Sequence, residues 1–498
     1  MKTGIKNLFT RLGGASCVAW ACLGVASMRS RVLPALIAGL GLISAGRVTA
    51  QTFTTLHSFT NGIDGANPQA GLILSGNTLY GTAAGGGSFS NGTVFAVNTD
   101  GTGFTNLYIF TALSNSTNSD GANPYAGLIL SGNTLYGTAG NGGSSGRGTV
   151  FAVNTNGTGF TNPHNFTALT GPLFTNSDGA TPAAGLILSG NILYGTAILG
   201  GSSGAGTVFK VNTDGSGFTN LYSFTGGSDG AIPNAGLILS GNTLYGTARL
   251  GGSAGNGTVF KLNTNGTGFT PLHSFTVLHG SPPENSDGAT PYGGLILSGN
   301  TLYGTAWGGG ISGNGTVFKL NTDGTVFTTL HSFTAGSFNS DGANPFDELI
   351  LSGNTLYGTA FNGGSSGNGT VFAVNTNGTS FTNLHSFAGF PSDGSAPVAG
   401  LILSGNTLYG TAWAGGSSGN GTVFSLSLPV PRLTIISSGA NVILTWPTYA
   451  PGVTLQSTTN LVSPAVWSTV SPGPTVVNGQ NAVTNAVSGT QKFYRLSQ

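Results

Sequence analysis

Phe53-Thr54-Thr55-Leu56-His57-Ser58-Phe59 reads as the last strand of a repeat whose other parts have not yet begun. The same block ends later units, as in Phe327-Thr328-Thr329-Leu330-His331-Ser332-Phe333. It is missing after the last unit, where Thr422-Val423-Phe424 runs into Ser425-Leu426-Ser427-Leu428. Between these ends Leu-Ile-Leu-Ser-Gly-Asn recurs with its serine at 75, 131, 189, 240, 298, 352 and 404, at intervals of 56, 58, 51, 58, 54 and 52 residues. These seven units are slightly longer than the roughly 50 residues of a kelch blade. Each holds four runs rich in β-branched and aromatic residues and bounded by turn formers, in the first copy Gly71–Leu74, Thr78–Ala83, Thr93–Asn98 and Phe104–Phe110. Ser75-Gly76-Asn77 joins the first pair of runs and Asp100-Gly101 the last, where glycine supplies the positive φ of a tight hairpin. No segment shows a capped helical period.

One fourth strand is thus displaced to the N-terminus, and ring closure accounts for it. The N-terminal strand is expected to pair with 422–427 and complete the seventh blade, removing the open edges of a linear stack. A linear solenoid would need polar caps at both ends, and the sequence offers none. The fold class expected is all-β: a seven-bladed β-propeller over 51–428, closed by an N-terminal strand, then a small C-terminal β-sandwich over 429–498. Pro429-Val430-Pro431 reads as a stiff linker. Strands are predicted beyond it at Leu433–Ile436, Val442–Trp446, Thr454–Gln456, Val466–Val470, Thr475–Val477 and Phe493–Leu496.

The blocks follow one order: Leu-Tyr-Gly-Thr-Ala, Gly-Gly, Gly-Thr-Val-Phe, Asn-Thr-Asp-Gly, Phe-Thr-x-Leu-His-Ser-Phe, Ser-Asp-Gly-Ala-x-Pro. Over residues 53–424 this pattern resembles the GloVer tandem repeat of bacterial exported proteins described as "choice-of-anchor". The resemblance implies a secreted or cell-surface protein with a variable C-terminus, and it supplies no catalytic residues. Leu455-Gln456-Ser457-Thr458-Thr459-Asn460-Leu461 and Phe493-Tyr494-Arg495-Leu496 look like a terminal module of exported proteins from the same bacterial groups. That likeness implies attachment, docking or sorting.

The chain begins with an export signal by this reading. Arg29 and Arg31 precede an apolar run, Val32 to Ser44, and Val48-Thr49-Ala50 forms a small-x-small cleavage site. Met28 would itself open a complete signal, so residues 1–27 read as an over-extended start. Residues 1–50 hold six of the 14 Lys and Arg and none of the 13 Asp and Glu, so the remainder carries a net charge of −5. Too few basic residues remain to build a nucleic-acid-binding face. Both cysteines, Cys17 and Cys22, lie in the signal, which leaves no disulfide, thiolate nucleophile or cysteine-bound zinc. No later run is long and apolar enough to span a bilayer.

The recurring polar residues read as structural. Asp64, Asp120, Asp178, Asp229, Asp287, Asp341 and Asp393 each stand alone before glycine. Calcium loops cluster several acidic ligands, so a turn bonded to its own backbone is the expected role. His57, His164, His273, His331 and His385 share a position that Tyr108 and Tyr222 also fill. Tyrosine cannot replace a catalytic base, so packing between blades with one hydrogen bond is expected. Gly-x-Ser-x-Gly at 142–146, 200–204, 251–255, 363–367 and 415–419 lies in flexible loops, without the strand–turn–helix setting of a nucleophile elbow. No catalytic residue, metal site or cofactor is assigned.

Departures from the repeat carry more information. After Gly-Thr-Ala the chain reads Ala84, Gly140, Ile198, Arg249, Trp307, Phe361 and Trp413. Nearby, Asp347-Glu348 replaces the usual Ala-Gly. Strand order places these positions on the face with the long, variable connections, where propellers commonly bind. Trp307, Phe361, Trp413, Arg249, Asp347 and Glu348 are therefore the candidate ligand-binding residues, suited to sugar stacking and hydroxyl bonding or to adhesion to a protein. Aromatic filling between blades is the competing reading. The expected function is a monomeric, exported, non-catalytic binding or surface-structural module with a glycan or cell-surface partner. The alternative is a carbohydrate-active hydrolase or lyase. It is weakened because adjacent strand residues such as Asp347 and Glu348 would point to opposite faces.

Overall fold

The computed structural model describes residues 51–497 except 335, 337, 430–431, 448–452, 463–464, 478–479 and 487–490. The expected export signal and part of the proline linker lie outside the described residues. All regular elements among the described residues are β-strands. No helix there is long and apolar enough to cross a membrane. One compact unit spans Ala50–Val430, and the described residues after Pro431 form another.

The larger unit consists of propeller-like antiparallel sheets. In the first, Ile73–Ser75, Thr78–Ala83, Thr93–Asn98 and Thr105–Ile109 pair in chain order. Ser75 pairs with Thr78 across a two-residue turn in which Gly76 has φ 60°. A Cβ there would meet nothing within 4 Å, so glycine serves the dihedral angle rather than the space. Four further sheets repeat this order, between Ile129 and Asn165, Ile187 and Ser223, Ile238 and Ser274, and Ile296 and Ser332. The next gains a short strand, Ala343–Pro345, which pairs with an extended second strand, Thr355–Asn362.

The remaining sheet contains Ile402–Ser404, Thr407–Ala412 and Thr422–Ser427. Its fourth member is Thr52–Ser58, antiparallel to Thr422–Ser427, with Thr52 opposite Ser427 and Ser58 opposite Thr422. The register shifts between Thr55 and His57, and the equivalent pairing of the first sheet carries a shift between Val94 and Phe95.

The core lies between sheets rather than within one. Tyr80, Val94 and Phe110 pack with Leu128, Leu135 and Phe151 of the following sheet. Tyr409 and Val423 of the last sheet, with Phe59, pack in the same way on Leu72, Leu79 and Phe95 of the first. Polar ties accompany the packing. Thr82 Oγ1 donates to the Ala126 carbonyl at 3.0 Å, and Thr411 Oγ1 to the Ala70 carbonyl at 2.9 Å. Gly81 makes room for side chains of its own unit, since a Cβ there would lie 2.6 Å from Phe95 Cζ and 2.7 Å from Leu72 Cδ2.

In the smaller unit, Thr434–Ser438, Asn441–Pro447, Gln480–Ala486 and Thr475–Val477 form one sheet. Ser468–Thr469, Thr454–Thr458 and Phe493–Ser497 form another, and Leu444, Trp446, Leu455 and Val483 share a core. The strand at 480–486 was not predicted. Val483 is its one deeply buried apolar residue, too weak a pattern to read from sequence.

Candidate functional site

The aspartate corners differ from the expected self-bonded turn. Each carboxylate reaches back to the end of the preceding fourth strand. Asp120 Oδ2 accepts the Thr111 N–H at 2.8 Å and the Tyr108 hydroxyl at 2.9 Å. Asp178 accepts the Thr167 N–H at 3.0 Å, with His164 Nε2 3.0 Å away. Where Ala388 replaces threonine, Asp393 takes the backbone N–H groups of Ala388 and Gly389 instead. Burial pushes the carboxyls of Asp178, Asp287 and Asp341 up, but hydrogen bonds from histidine and threonine outweigh it and hold these three below the ordinary value. Burial lowers His57 more than Asp64 raises it.

The shared histidine or tyrosine also stacks on the next unit. His57 lies 3.7 Å from Phe104, Tyr108 3.7 Å from Phe160 and His385 4.0 Å from Phe53, centroid to centroid. One apolar face is covered and one polar atom is bonded, the packing role expected from the sequence.

Another region gathers three of the candidate ligand-binding residues. Arg249, Trp307 and Phe361 meet Tyr292 and Phe346, two residues absent from the sequence-based candidates. The Arg249 guanidinium lies 4.3 Å from the Tyr292 ring centroid, and Tyr292 stacks on Phe346 at 4.7 Å. Trp307 contacts Tyr292, Phe346 and Phe361 at 5.4–5.6 Å. All five are half-buried, forming a wall with accessible surface. Arg249 Nε is buried without a hydrogen-bond partner. Asn344 Nδ2 donates to the Trp307 carbonyl at 2.9 Å and so fixes its backbone. Trp413 is 38% exposed and makes no ring contact among the described residues. Its carbonyl accepts from Asn67 Nδ2 at 3.2 Å, the counterpart of the Asn344–Trp307 bond, but its ring does not join the cluster's contacts.

Asp347 and Glu348 precede the strand Ile350–Ser352, so strand alternation does not govern them. Other units carry glycine at position 348, and those glycines pack in series. A Cβ on Gly127 would lie 3.2 Å from the Gly71 carbonyl oxygen, and one on Gly71 3.4 Å from that of Gly400. Glu348 lies between Gly294 and Gly400, with Oε2 3.2 Å and Cγ 3.0 Å from their respective ideal Cβ positions. Asp347 Oδ2 accepts the Gly400 N–H at 2.7 Å.

Burial raises Asp347 despite the N–H groups of Glu348 and Gly400, which work the other way. Burial, then the Asp347 charge, pushes Glu348 up to about 7. Glu348 nevertheless keeps contact with water. The residue is exposed as a whole, so water tempers the effect of the carboxylate's surroundings. An acid raised in this way binds protons better folded than unfolded, so ionisation costs stability as pH climbs from its ordinary value toward 7. Glu348→Gln is expected to raise stability by about 1 kcal/mol at pH 8, discounted for the water that reaches it, and to change little at pH 4. Urea unfolding at both pH values checks this.

Three solved structures have comparable folds at low identity. An oligogalacturonate lyase in complex with manganese is 10% identical, covering 71% of this chain and 86% of its own, with TM-score 0.44. The oligogalacturonate lyase of Vibrio parahaemolyticus is 11% identical, covering 76% and 97%, with TM-score 0.45. A putative 6-phosphogluconolactonase from Bacteroides uniformis is 16% identical, covering 82% and 98%, with TM-score 0.44. No curated protein matches the chain. The sequence pattern of the Gloeobacter/Verrucomicrobia repeat matches residues 38–173, 170–286 and 277–461, and the chain belongs to that family.

Proposed function

We propose that the chain is an exported, non-catalytic glycan-binding module on a seven-bladed β-propeller closed by its N-terminal strand. Residues 1–50 direct export, 51–428 form the propeller and 429–498 attach or sort it at the cell surface. The pairing of Thr52–Ser58 with Thr422–Ser427, the His385–Phe53 stack and the Thr411–Ala70 bond support closure. The wall of Tyr292, Trp307, Phe346 and Phe361 beside Arg249 carries the binding reading. Aromatic faces stack on the apolar faces of sugar rings.

Trp307→Ala is expected to weaken the best ligand of a broad glycan array about 30-fold, the effect of losing an aromatic anchor worth about 2 kcal/mol. Unchanged affinity would remove the wall from the binding face. The raised proton affinity of Glu348 favours a hydrolase or lyase as a second reading. Turnover of the bound glycan, abolished by Glu348→Gln, would establish that instead.

A further inference from the structure

We propose that a charge-free cleft next to the aromatic wall is a subsite for an uncharged, hydroxyl-rich saccharide. The inference rests on the glycan-binding reading and specifies the class of sugar. The cleft has a volume of about 580 Å³, and its wall includes Asn314, Phe338, Asn344, Asn362, Ser366 and Gly367. This lies within the roughly 300–1,000 Å³ of small-molecule sites. Its lining is tied to the wall through the backbone: Asn362 follows Phe361 on one strand, with the two side chains on opposite faces, and Asn344 Nδ2 bonds the Trp307 carbonyl.

A difference between the connecting loops leaves room for the cleft. Where the connection is longest it covers the glycine of the second-to-third-strand loop, whereas Gly255, beside the short connection between Phe224 and Asp229, meets nothing within 4 Å. The ideal Cβ of Gly146 lies 2.8 Å from the Ser116 carbonyl oxygen, and that of Gly313 lies 3.0 Å from the Pro283 carbonyl oxygen. The connection between Phe333 and Asp341 is shorter than that between Phe275 and Asp287. Gly336 and Phe338 of this connection line the cavity, and Phe338 is 74% exposed.

The wall chemistry selects the ligand. No lining residue is charged. A uronate or sulfate entering the cleft would lose water without gaining a countercharge, which is unfavourable. Amides and hydroxyls both donate and accept, as sugar hydroxyls do. Asn344 is committed, donating to Trp307 and accepting from Asn362 Nδ2 at 3.1 Å. That bond leaves Asn362 a second N–H and its Oδ1. Asn314 donates to the Thr334 carbonyl at 2.6 Å and keeps its Oδ1. Phe338 provides an accessible ring face for a pyranose.

The test titrates the purified protein with cellotetraose, xylotetraose and mannotetraose as neutral probes and tetragalacturonate as the acidic one. At least one neutral probe is expected to bind more tightly than tetragalacturonate. Asn362→Ala and Phe338→Ala should each weaken it about 10-fold, with unchanged thermal midpoints because both side chains are exposed. Full affinity in both variants alongside loss in Trp307→Ala would overturn the subsite and leave the glycan reading intact. Preference for tetragalacturonate would do the same. Absence of saccharide binding, here and on the array, would overturn both.

Discussion

Removing residues 51–59 is expected to abolish cooperative folding of the repeat unit. The segment supplies the fourth strand of the sheet that ends at Ser427. It also places Phe53 against His385 and the fully buried Phe59 among Leu72, Leu79 and Phe95. Truncating one buried phenylalanine costs about 3–5 kcal/mol, against about 5–15 kcal/mol for a whole domain. The excision removes one such residue, Phe59, together with the partly buried Phe53, a strand ladder and the histidine partner of Asp64, and it bares Thr422–Ser427 as a sticky edge. Size-exclusion chromatography should show association or expansion, and calorimetry should lose its main sharp transition. Phe59→Ala should lower the midpoint while preserving one transition. A truncated protein that melts like the full chain would count against closure by this strand.

Acid is expected to destabilise the protein sharply below about pH 4, through groups that recur around the repeats. His57 is held below its ordinary value, mainly by burial. The unfolded chain therefore takes up that proton first, and the contribution of this group starts to fall as pH drops below about 6.5. Asp178, Asp287 and Asp341 are also held low, so their contribution is present above about pH 3.9 and is lost as pH falls through their folded values. Both effects have the same sign, and the carboxylate loss is steeper because three named corners act together. Urea midpoints should change little between pH 7 and pH 4, where protonation of Glu348 offsets that of His57, and fall sharply below about pH 4. Asp287→Asn should cost about 1.5–3 kcal/mol at pH 7, the value of hydrogen bonds to a charged acceptor, and make the acid decline shallower. A flat profile down to pH 3 would show that the corners contribute little.

Strand identity was legible because local chemistry dictates it. Thr78–Ala83 and Thr93–Asn98 have the bounds read from their β-branched and aromatic composition and flanking turns. The first strand was misplaced by two residues: Gly71 belongs to the close-packed glycine series, and pairing starts at Ile73. The histidine role was also legible, since alternation with tyrosine leaves packing and one hydrogen bond as the common function. Corner aspartates were misread because their partners lie four to fourteen residues upstream, beyond the turn itself.

By itself the sequence determined the repeat, its phase, its all-β character and a rim enriched in unusual residues. Each follows from periodicity or from the intrinsic preference of short segments. The tertiary structure decided which rim residues meet. Tyr292 and Phe346 follow prolines at variable positions, and their neighbourhood emerges only when successive sheets pack. The same packing leaves the Trp413 ring out of the cluster, sets Glu348 between two glycines and leaves the Asn362 cleft open. Contacts between sheets depend on connection length and relative placement, which no window along a single repeat encodes.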